Sequence, residues 1–466
     1  MSFNEFKKQL EGAVDFFSSF DKNKQVRFVS HHDADGICSA AIIIELMERL
    51  NFNYCLSVVS QLDDSFLESL SREKNTQYIF ADLGSVFIEK IGEYLKGSKV
   101  IILDHHQVKK DISFENICHV NPHLCGVQGS REISGSGVAY MFSEYFCDMS
   151  RLAHLPIIGA IGDSQANQGF RGLNRFILQK AEQSNRIKVE WGLKLFGAQS
   201  RPLPKLLKNS YDPLIPGVTG NFRGSVDFLK SLNIYSNESG GRRMLSSLSS
   251  DEIKKLGNAI LSKCPHIRKE KIFGNVYKVN GEEGAFSDAR EFATILNACG
   301  RLESSTIGIA SCLGDEKMKL KAIEKQDEYK KELQAILSWF KKNKNSDNVY
   351  VSNNYIIING KNNVPSSMAG TLASIIAYSE EVDDKAFILT LSWLENNFTK
   401  VSLRLKGRSS EVDLNTVISK IVRSIGGQSG GHSNAAGALI ETHKEADFIE
   451  AAKRVFEGYS ITEDVN

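Results

Sequence analysis

Lys99-Val100-Ile101-Ile102-Leu103-Asp104-His105-His106 is the stretch on which the reading of this chain turns. Four consecutive apolar residues fit a strand covered on both faces, as in a parallel sheet. The run stops on an acid and two imidazoles. Other segments repeat the pattern. Upstream, Val26-Arg27-Phe28-Val29-Ser30 leads into His31-His32-Asp33-Ala34-Asp35-Gly36, and Tyr78-Ile79-Phe80-Ala81 stops on Asp82. Downstream, Ile158-Gly159-Ala160-Ile161-Gly162 stops on Asp163. In open α/β sheets ligands bind beyond the carboxyl ends of the strands, at the switch point of the strand order. Strand pattern and donor pattern therefore point to one place.

His31, Asp33 and Asp35 are spaced by two, so an extended backbone would send all three side chains to one side. With Asp82, His105 and Asp163 the donor count exceeds what one cation with open water positions needs. It fits two cations about 3.5–4 Å apart that share a carboxylate. Carboxylates mixed with imidazoles suit Mn²⁺, Mg²⁺ or Zn²⁺ better than soft metals. A lone acid at a strand end is ordinarily a cap or turn residue, and Asp104 reads that way. The joint occurrence in four segments is what implies a metal-dependent phosphoesterase site. His106 is left over once His105 is a ligand, and is placed to donate to a phosphate oxygen or a leaving group. Cys118-His119 and His123-x-Cys125 lack the spacing of common zinc knuckles and are set aside.

Alternating strand and helix organises residues 1–186. Strands are predicted over 25–30, 55–59, 77–82 and 99–103, and helices over 38–50, 64–71 and 85–95. Such alternation predicts a doubly wound α/β fold with a parallel sheet. Residues 187–345 form a middle region: 200–219 reads as a loop, 288–301 as a helix, 306–312 as a strand, and 315–342 as a long lysine-rich amphipathic helix. That helix is read first as a solvated spacer, second as a basic track for a nucleic-acid backbone. Residues 346–466 return to a smaller α/β pattern, with strands over 349–351, 355–358, 387–393 and 400–405 and helices over 367–378 and 414–425. The glycine-rich run 426–437 follows. A helix starting near Asn434 would aim its N–H groups at an anion. Arg404, Gly430, Gly431, His432 and Asn434 are the candidate phosphate-binding residues.

A chain of 466 residues suggests two or three domains. Its 41% hydrophobic and 24% charged residues argue against disorder. The net charge of +1 excludes a global positive field, so any nucleic-acid contact must use local patches. The 8 cysteines show no framework spacing, which suits a reducing compartment. No signal peptide or membrane span is read, so a cytoplasmic location is expected.

Together these motifs resemble the DHH/DHHA1 phosphoesterase superfamily. His31-x-Asp33-x-Asp35-Gly36 is similar to its first motif, Asp82 to its second, Asp104-His105-His106 to its third and Asp163 to its fourth. Gly430-Gly431-His432-Ser433-Asn434-Ala435-Ala436-Gly437 resembles the signature of the DHHA1 domain. Three further segments resemble archaeal RecJ-like exonucleases, including the GINS-associated nuclease. They are residues 288–301, 308–315 and 370–377.

The resemblance implies three regions: a DHH domain over 1–186, a middle insertion over 187–345 and a DHHA1 domain over 346–466, with the active site in the cleft between domains. It implies two divalent cations, Mn²⁺ first and Mg²⁺ as the alternative. His31, Asp33 and Asp82 would hold one, and Asp35, Asp82, His105 and Asp163 the other, with Asp82 bridging. Asp82 and His106 are then the catalytic residues, and Arg404, Gly430, Gly431, His432 and Asn434 grip the terminal nucleotide. The implied activity is a single-strand exonuclease of DNA replication or repair that releases mononucleotides. Its substrate would be single-stranded DNA, with RNA as an alternative, and its partners GINS and MCM. Two other readings stand beside it: a phosphoesterase for nano-oligonucleotides or cyclic dinucleotides, and a GINS-binding scaffold with residual nuclease activity. The long middle region favours a long strand, since a small substrate does not require it.

Overall fold

Register explains why the acids and imidazoles gather. The strands Val26–His31 (β1), Tyr54–Val59 (β2), Gln77–Ala81 (β3), Lys99–Leu103 (β4) and Ile117–Val120 (β5) form one parallel sheet in the order β2-β1-β3-β4-β5. Ser30 pairs with Ala81, and Ala81 with Leu103. His31, Asp82 and Asp104 therefore leave three adjacent strands at the same level. The computed structural model describes residues 2–108, 112–210, 213–234, 243–377, 386–406, 412–432 and 435–459. Two compact units divide it, Met1–Gln326 and Asp327–Asn466.

In the first unit side chains alternate between two cores, as a doubly wound sheet requires. Phe28, Ile79 and Ile101 face one side. There they meet Ser2–Ser18 (α1), Ala34–Arg49 (α2), Gly135–Ser143 (α5), Leu155–Gly162 (α6) and Gly172–Gln183 (α7). Val29, Phe80 and Ile102 face the other side, toward Asp64–Ser71 (α3) and Ile88–Tyr94 (α4).

An antiparallel ribbon of Ile187–Leu193 (β6) and Phe273–Val279 (β7) leads out to a separate small core. Leu203–Lys208 (α8), Phe222–Ser231 (α9), Ser250–Lys263 (α10) and Lys269–Ile272 (α11) surround it. The loop predicted over 200–219 thus contains a helix. Pro202 stands at its N-cap and Pro204 in its first turn, where proline costs no internal hydrogen bond, while Leu203, Leu206 and Leu207 are buried.

The chain then returns to the first core through Ala289–Arg301 (α12) and Ser305–Leu313 (α13). The strand predicted over 306–312 is therefore a helix. A short apolar run reads alike for a buried strand and a buried helix. Here Gly308 lets α13 pack onto Ile37 and Leu296, and Gly314, at φ 100°, ends it. Glu316–Asn343 (α14) follows and contains the boundary between the units.

Glu291 on α12 is 2% exposed and accepts hydrogen bonds from the Ser200 hydroxyl and, at 3.4 Å, the Gln199 N–H. Burial pushes its carboxyl up to about 7, with Asp288 adding to the rise and the Ser200 hydroxyl and Arg201 opposing it. A carboxyl raised above its unfolded value of 4.5 contributes stability that is complete below that value and lost as pH climbs through 7. The loss is about 3 kcal/mol. Glu291→Gln, neutral throughout, should therefore raise the thermal midpoint by about 2–6 °C at pH 8 and change it little at pH 4.5. Equal shifts at both pH values would contradict the raised carboxyl.

The second unit has a six-stranded sheet of Val349–Val351 (β8), Tyr355–Asn359 (β9), Phe387–Trp393 (β10), Phe398–Leu405 (β11), Gln428–His432 (β12) and Ala435–Glu441 (β13), in the order β12-β13-β11-β10-β9-β8. Only β9 and β10 pair in parallel. Ala369–Ala377 (α15) and the end of α14 cover Ile356, Ile358 and Ile388. Leu414–Ile425 (α16) and Glu445–Glu457 (α17) cover Leu389, Val401 and Leu403.

The glycine-rich run is a strand pair rather than a helix start: Gly430 pairs with Gly437 and Gly431 with Ala436. Ala436, Ala438 and Ile440 alternate inward, a period of two that holds the segment in the sheet. Among the described residues no helix is long and apolar enough to cross a membrane.

Candidate metal centre

Asp82 occupies the middle of the site in a backbone conformation that few residues other than glycine adopt. Its φ is +61°, in the left-handed region, and its N–H donates to the Leu103 carbonyl at 2.9 Å. Strain of this kind, about 1–3 kcal/mol, persists where surrounding structure over-determines it, and it clusters at functional sites. The carboxylate is 1% exposed. Its Oδ1 lies 3.2 Å from His105 Nε2 and its Oδ2 3.5 Å from His31 Nδ1. α5 approaches so closely that a Cβ on Gly135 would overlap the Asp82 carboxylate.

Two sets of donors flank this acid. In His31, Asp33 and Asp82, one donor atom from each residue lies within 4.8 Å of the others, and the same holds for Asp35, His105 and Asp163. His31 Nδ1 is 3.0 Å from Asp33 Oδ2, and His105 Nε2 is 3.2 Å from Asp163 Oδ2 and 3.7 Å from Asp35 Oδ2. The backbone from His31 to Asp35 is not extended, contrary to expectation. Asp33 is the N-cap of α2 and accepts the Gly36 N–H at 3.0 Å, and Asp35 sits in the first helical turn. Strand end, cap and first turn bring the three side chains to the centre, not a two-residue repeat. Asp35 is fully buried against the N-terminus of α5, accepting the N–H groups of Gly135 (2.6 Å) and Ser136 (3.1 Å) and the Ser136 hydroxyl. Asp163 is the C-cap of α6.

His105 and His106 are each fixed by a partner on Nδ1. The Gly129 carbonyl, 2.9 Å from His105 Nδ1, can only accept, so Nδ1 carries the proton and Nε2 faces the carboxylates. His106 Nδ1 is 2.8 Å from Asp104 Oδ1. Asp104 also accepts the N–H groups of His105 (2.8 Å) and His106 (3.2 Å) on Oδ1, and of Ser85 (2.9 Å) on Oδ2. These bonds fix the carboxylate against His106, within a cluster that also holds Asp82 and His105. The sequence presents Asp104 only as a cap; its adjacency to His106 is the signal that points to this second role. Asn121, 2.9 Å from the His106 carbonyl through its side-chain amide, steadies the same segment.

The electrostatics favour positive charge here. Burial, then repulsion from Asp82, pushes Asp35 up to about 7. Burial and Asp35 raise Asp163. Burial alone would lower the three imidazoles. Asp33 and Asp82 instead carry His31 up, Asp82 and Asp163 carry His105 up, and Asp104 carries His106 up.

The remaining candidates lie in the second unit. Arg404, on β11, donates from Nε to the Ser374 hydroxyl at 3.1 Å and from Nη1 to the Leu403 carbonyl at 2.8 Å. Its Nη2 would sit 3.1 Å from a Cβ on Gly370. Gly430 and Gly431 are exposed on β12. The backbone of His432 pairs with Ala435. Asn434 lies outside the described residues.

The DHH family N-terminal domain matches residues 25–159, the DHH-CID domain residues 195–271 and the DHHA1 domain residues 348–458. The uncharacterised protein MJ0831 of Methanocaldococcus jannaschii is 33% identical over 438 residues, covering 92% of this chain and 93% of its own length. The chain belongs to the DHH/DHHA1 phosphoesterase family. Among solved structures, RecJ from Thermus thermophilus, in complex with Mn²⁺, matches with a TM-score of 0.59 at 15% identity. The match covers 97% of this DHH/DHHA1 chain but 55% of the RecJ chain, so the protein spans about half the length of that relative. CDC45 from Entamoeba histolytica matches with a TM-score of 0.64 at 12% identity, covering 98% and 99% of the two chains. At these identities the likeness is one of fold, which is RecJ-like. The small core between β6 and β7 falls in the DHH-CID match, within what the sequence shows only as a middle region.

Proposed function

We propose that this protein is a phosphodiesterase dependent on two divalent cations, which shortens single-stranded nucleic acid from an end and releases mononucleotides. One observation carries the reading. His31 Nδ1, both oxygens of Asp82 and His105 Nε2 are buried and make no hydrogen bond, although each faces other donors of the same cluster. An orphaned buried polar atom costs about 1–3 kcal/mol. Four in one cluster of acids and imidazoles fit a site built for cations. His31, Asp33 and Asp82 would hold one, and Asp35, Asp82, His105 and Asp163 the other, with Asp82 shared. The donor chemistry suits Mn²⁺, and Mg²⁺ as the alternative. Bound cations supply charge neutralisation at the phosphoryl oxygens and activation of water.

The chain's own residues do the rest. Asp82 holds the two donor sets in register. His106, its Nδ1 tied to Asp104, presents Nε2 to the leaving oxygen. As the water oxygen bonds to phosphorus and the P–O ester bond breaks, the Nε2 proton passes to the leaving ester oxygen; the attacking water gives up one proton to solvent, from which His106 takes one back. Arg404, with Gly430, Gly431, His432 and Asn434, is assigned to the phosphate of the terminal nucleotide. The guanidinium suits that task. In this reading residues 1–186 carry the chemistry, 346–466 the substrate grip, and, within 187–345, the small separate core a partner contact. The DHH-CID match and the CDC45-like fold support a role in DNA replication or repair beside GINS and MCM.

The test uses Mn²⁺ and single strands of DNA and RNA labelled at either end, with Asp82→Asn as control. Stepwise release of mononucleotides from one end is expected, and none from the control. Turnover of dinucleotides or cyclic dinucleotides without shortening of long strands would replace this reading with the small-substrate one.

A further inference from the structure

His31 and Asp33 depend on a turn. β1 ends at His31 and α2 begins at Ala34, so the two residues between them decide where the first donor set points. Asp33 cannot hold that turn unaided, because its side chain caps Gly36 and its other oxygen faces His31. The Ala34 N–H is one of the helix-start donors that has no partner within its own helix.

The partner comes from far along the chain. Asn297, on α12, accepts the Ala34 N–H on Oδ1 at 2.9 Å. Gly300, three residues on and so on the same face of α12, lies against the other side of the turn. A Cβ there would overlap the His32 carbonyl oxygen. One helix thus accepts a donor of the turn's backbone through Asn297 and, through Gly300, lies close against the carbonyl of the preceding peptide. The helix is itself well anchored. Phe292, Ile295, Leu296 and Cys299 are fully buried in the first core, and Asp288 caps its start through the N–H groups of Arg290 and Glu291. α12 lies outside all three domain matches, which end at 159, end at 271 and begin at 348.

We infer that Asn297 and Gly300 are positioning residues of the metal centre: through them α12 sets the turn that aims His31 and Asp33, and so sets how tightly that donor set holds a divalent cation. The inference rests on the proposed cation binding. It does not make Asn297 a ligand, since its oxygen is occupied by the Ala34 N–H. It also differs from ordinary core packing. Packing would affect the stability of the fold; the grip on the turn should affect one cation more than the other, because Asp35, His105 and Asp163 are held by α5, the Gly129 carbonyl and α6.

The measurement is Mn²⁺ binding to the full chain, followed by the electron paramagnetic resonance signal of free Mn²⁺, with thermal midpoints in EDTA recorded alongside. Asn297→Leu keeps the volume and removes the acceptor. It should weaken one of two Mn²⁺ binding events roughly tenfold or more, the scale on which groups behind metal ligands act, and leave the other in place. Asn297→Asp keeps an acceptor and should restore binding to within about threefold. Asn297→Ala takes the place of the leucine variant should that fail to fold. A folded leucine or alanine variant that binds both ions as the parent does would overturn the inference. So would an aspartate variant as weak as leucine, since volume and not the acceptor would then be at work. A parent that binds no Mn²⁺ would overturn the cation reading itself, and that would be evident before any variant was compared.

Discussion

Asp82→Asn is expected to lower phosphodiester turnover by about 10³-fold or more, the upper end of what one group acting directly on transition-state charge contributes. It should also abolish the stabilisation that Mn²⁺ confers, while leaving the fold intact. Among the described residues, Asp82 is the acid whose two oxygens face the two imidazoles of different donor sets, His31 on Oδ2 and His105 on Oδ1. A carboxamide keeps the volume and tolerates the left-handed backbone at φ +61° nearly as well as a carboxylate does. It offers one oxygen where two are needed, and its NH₂ points a donor at a place built for a cation. Alanine would add backbone strain to the same loss, so asparagine is the cleaner probe. In EDTA the variant should be at least as stable as the parent, because the charge that repels Asp35 is gone. The parent should gain thermal stability on adding Mn²⁺ by mass action, and the variant should not. Thermal midpoints with and without Mn²⁺, beside turnover of a short labelled strand, separate the two effects. Retained turnover in Mn²⁺ would end the shared-acid reading of the site.

How much of this was legible in the sequence depended on how local the physics was. The strand over 99–103 was placed to the residue, because a run buried on both faces and bounded by charge leaves one solution. The helix over 64–71 is equally clear, and the structure shows Asp63 as its cap. Residues 306–312 were not, since Thr-Ile-Gly-Ile-Ala fits a buried strand as well as a buried helix. The packing of Gly308 against α2 decides it. Alternation over 435–441 was masked by alanines and glycines, whose small side chains give a weak period, so the strand pair there was missed. At the site, residue types and their order along the chain showed that donors would gather at strand ends. They did not show the cap-and-turn geometry of Asp33 and Asp35, nor the backbone N–H groups that hold Asp104 against His106. Asn297 was beyond reach: its contact with Ala34 joins residues 263 positions apart, and no spacing rule covers that.

Asp104→Asn should lower turnover by about 10²–10⁴-fold, the range that a positioned proton donor contributes, while Mn²⁺ binding stays close to that of the parent. Asp104 lies in one donor cluster with Asp82, His105 and His106, but three backbone N–H groups and His106 Nδ1 hold its carboxylate, which assigns it to orienting His106. Burial alone would raise its carboxyl; the His106 and His105 imidazoles and the Ser85 N–H hold it well below the usual carboxylate range. It therefore keeps a negative charge behind His106 at any working pH. That charge favours the proton on Nδ1 and raises the affinity of the whole ring for a second one, which is the state able to give a proton from Nε2. Asparagine must turn its NH₂ either toward the Ser85 N–H, setting donor against donor in a buried place, or toward His106 Nδ1, forcing the other tautomer. Either way the charge is lost and His106 becomes a poorer acid. If Asp104 acts only through His106, then His106→Ala alone should cost about as much as the pair, and adding Asp104→Asn to it should cost little more. Turnover of the parent, both single variants and the double variant on one short strand measures this directly. Two independent losses that multiply would mean that Asp104 serves something other than His106, and a loss of Mn²⁺ binding with Asp104→Asn would place it among the ligands after all.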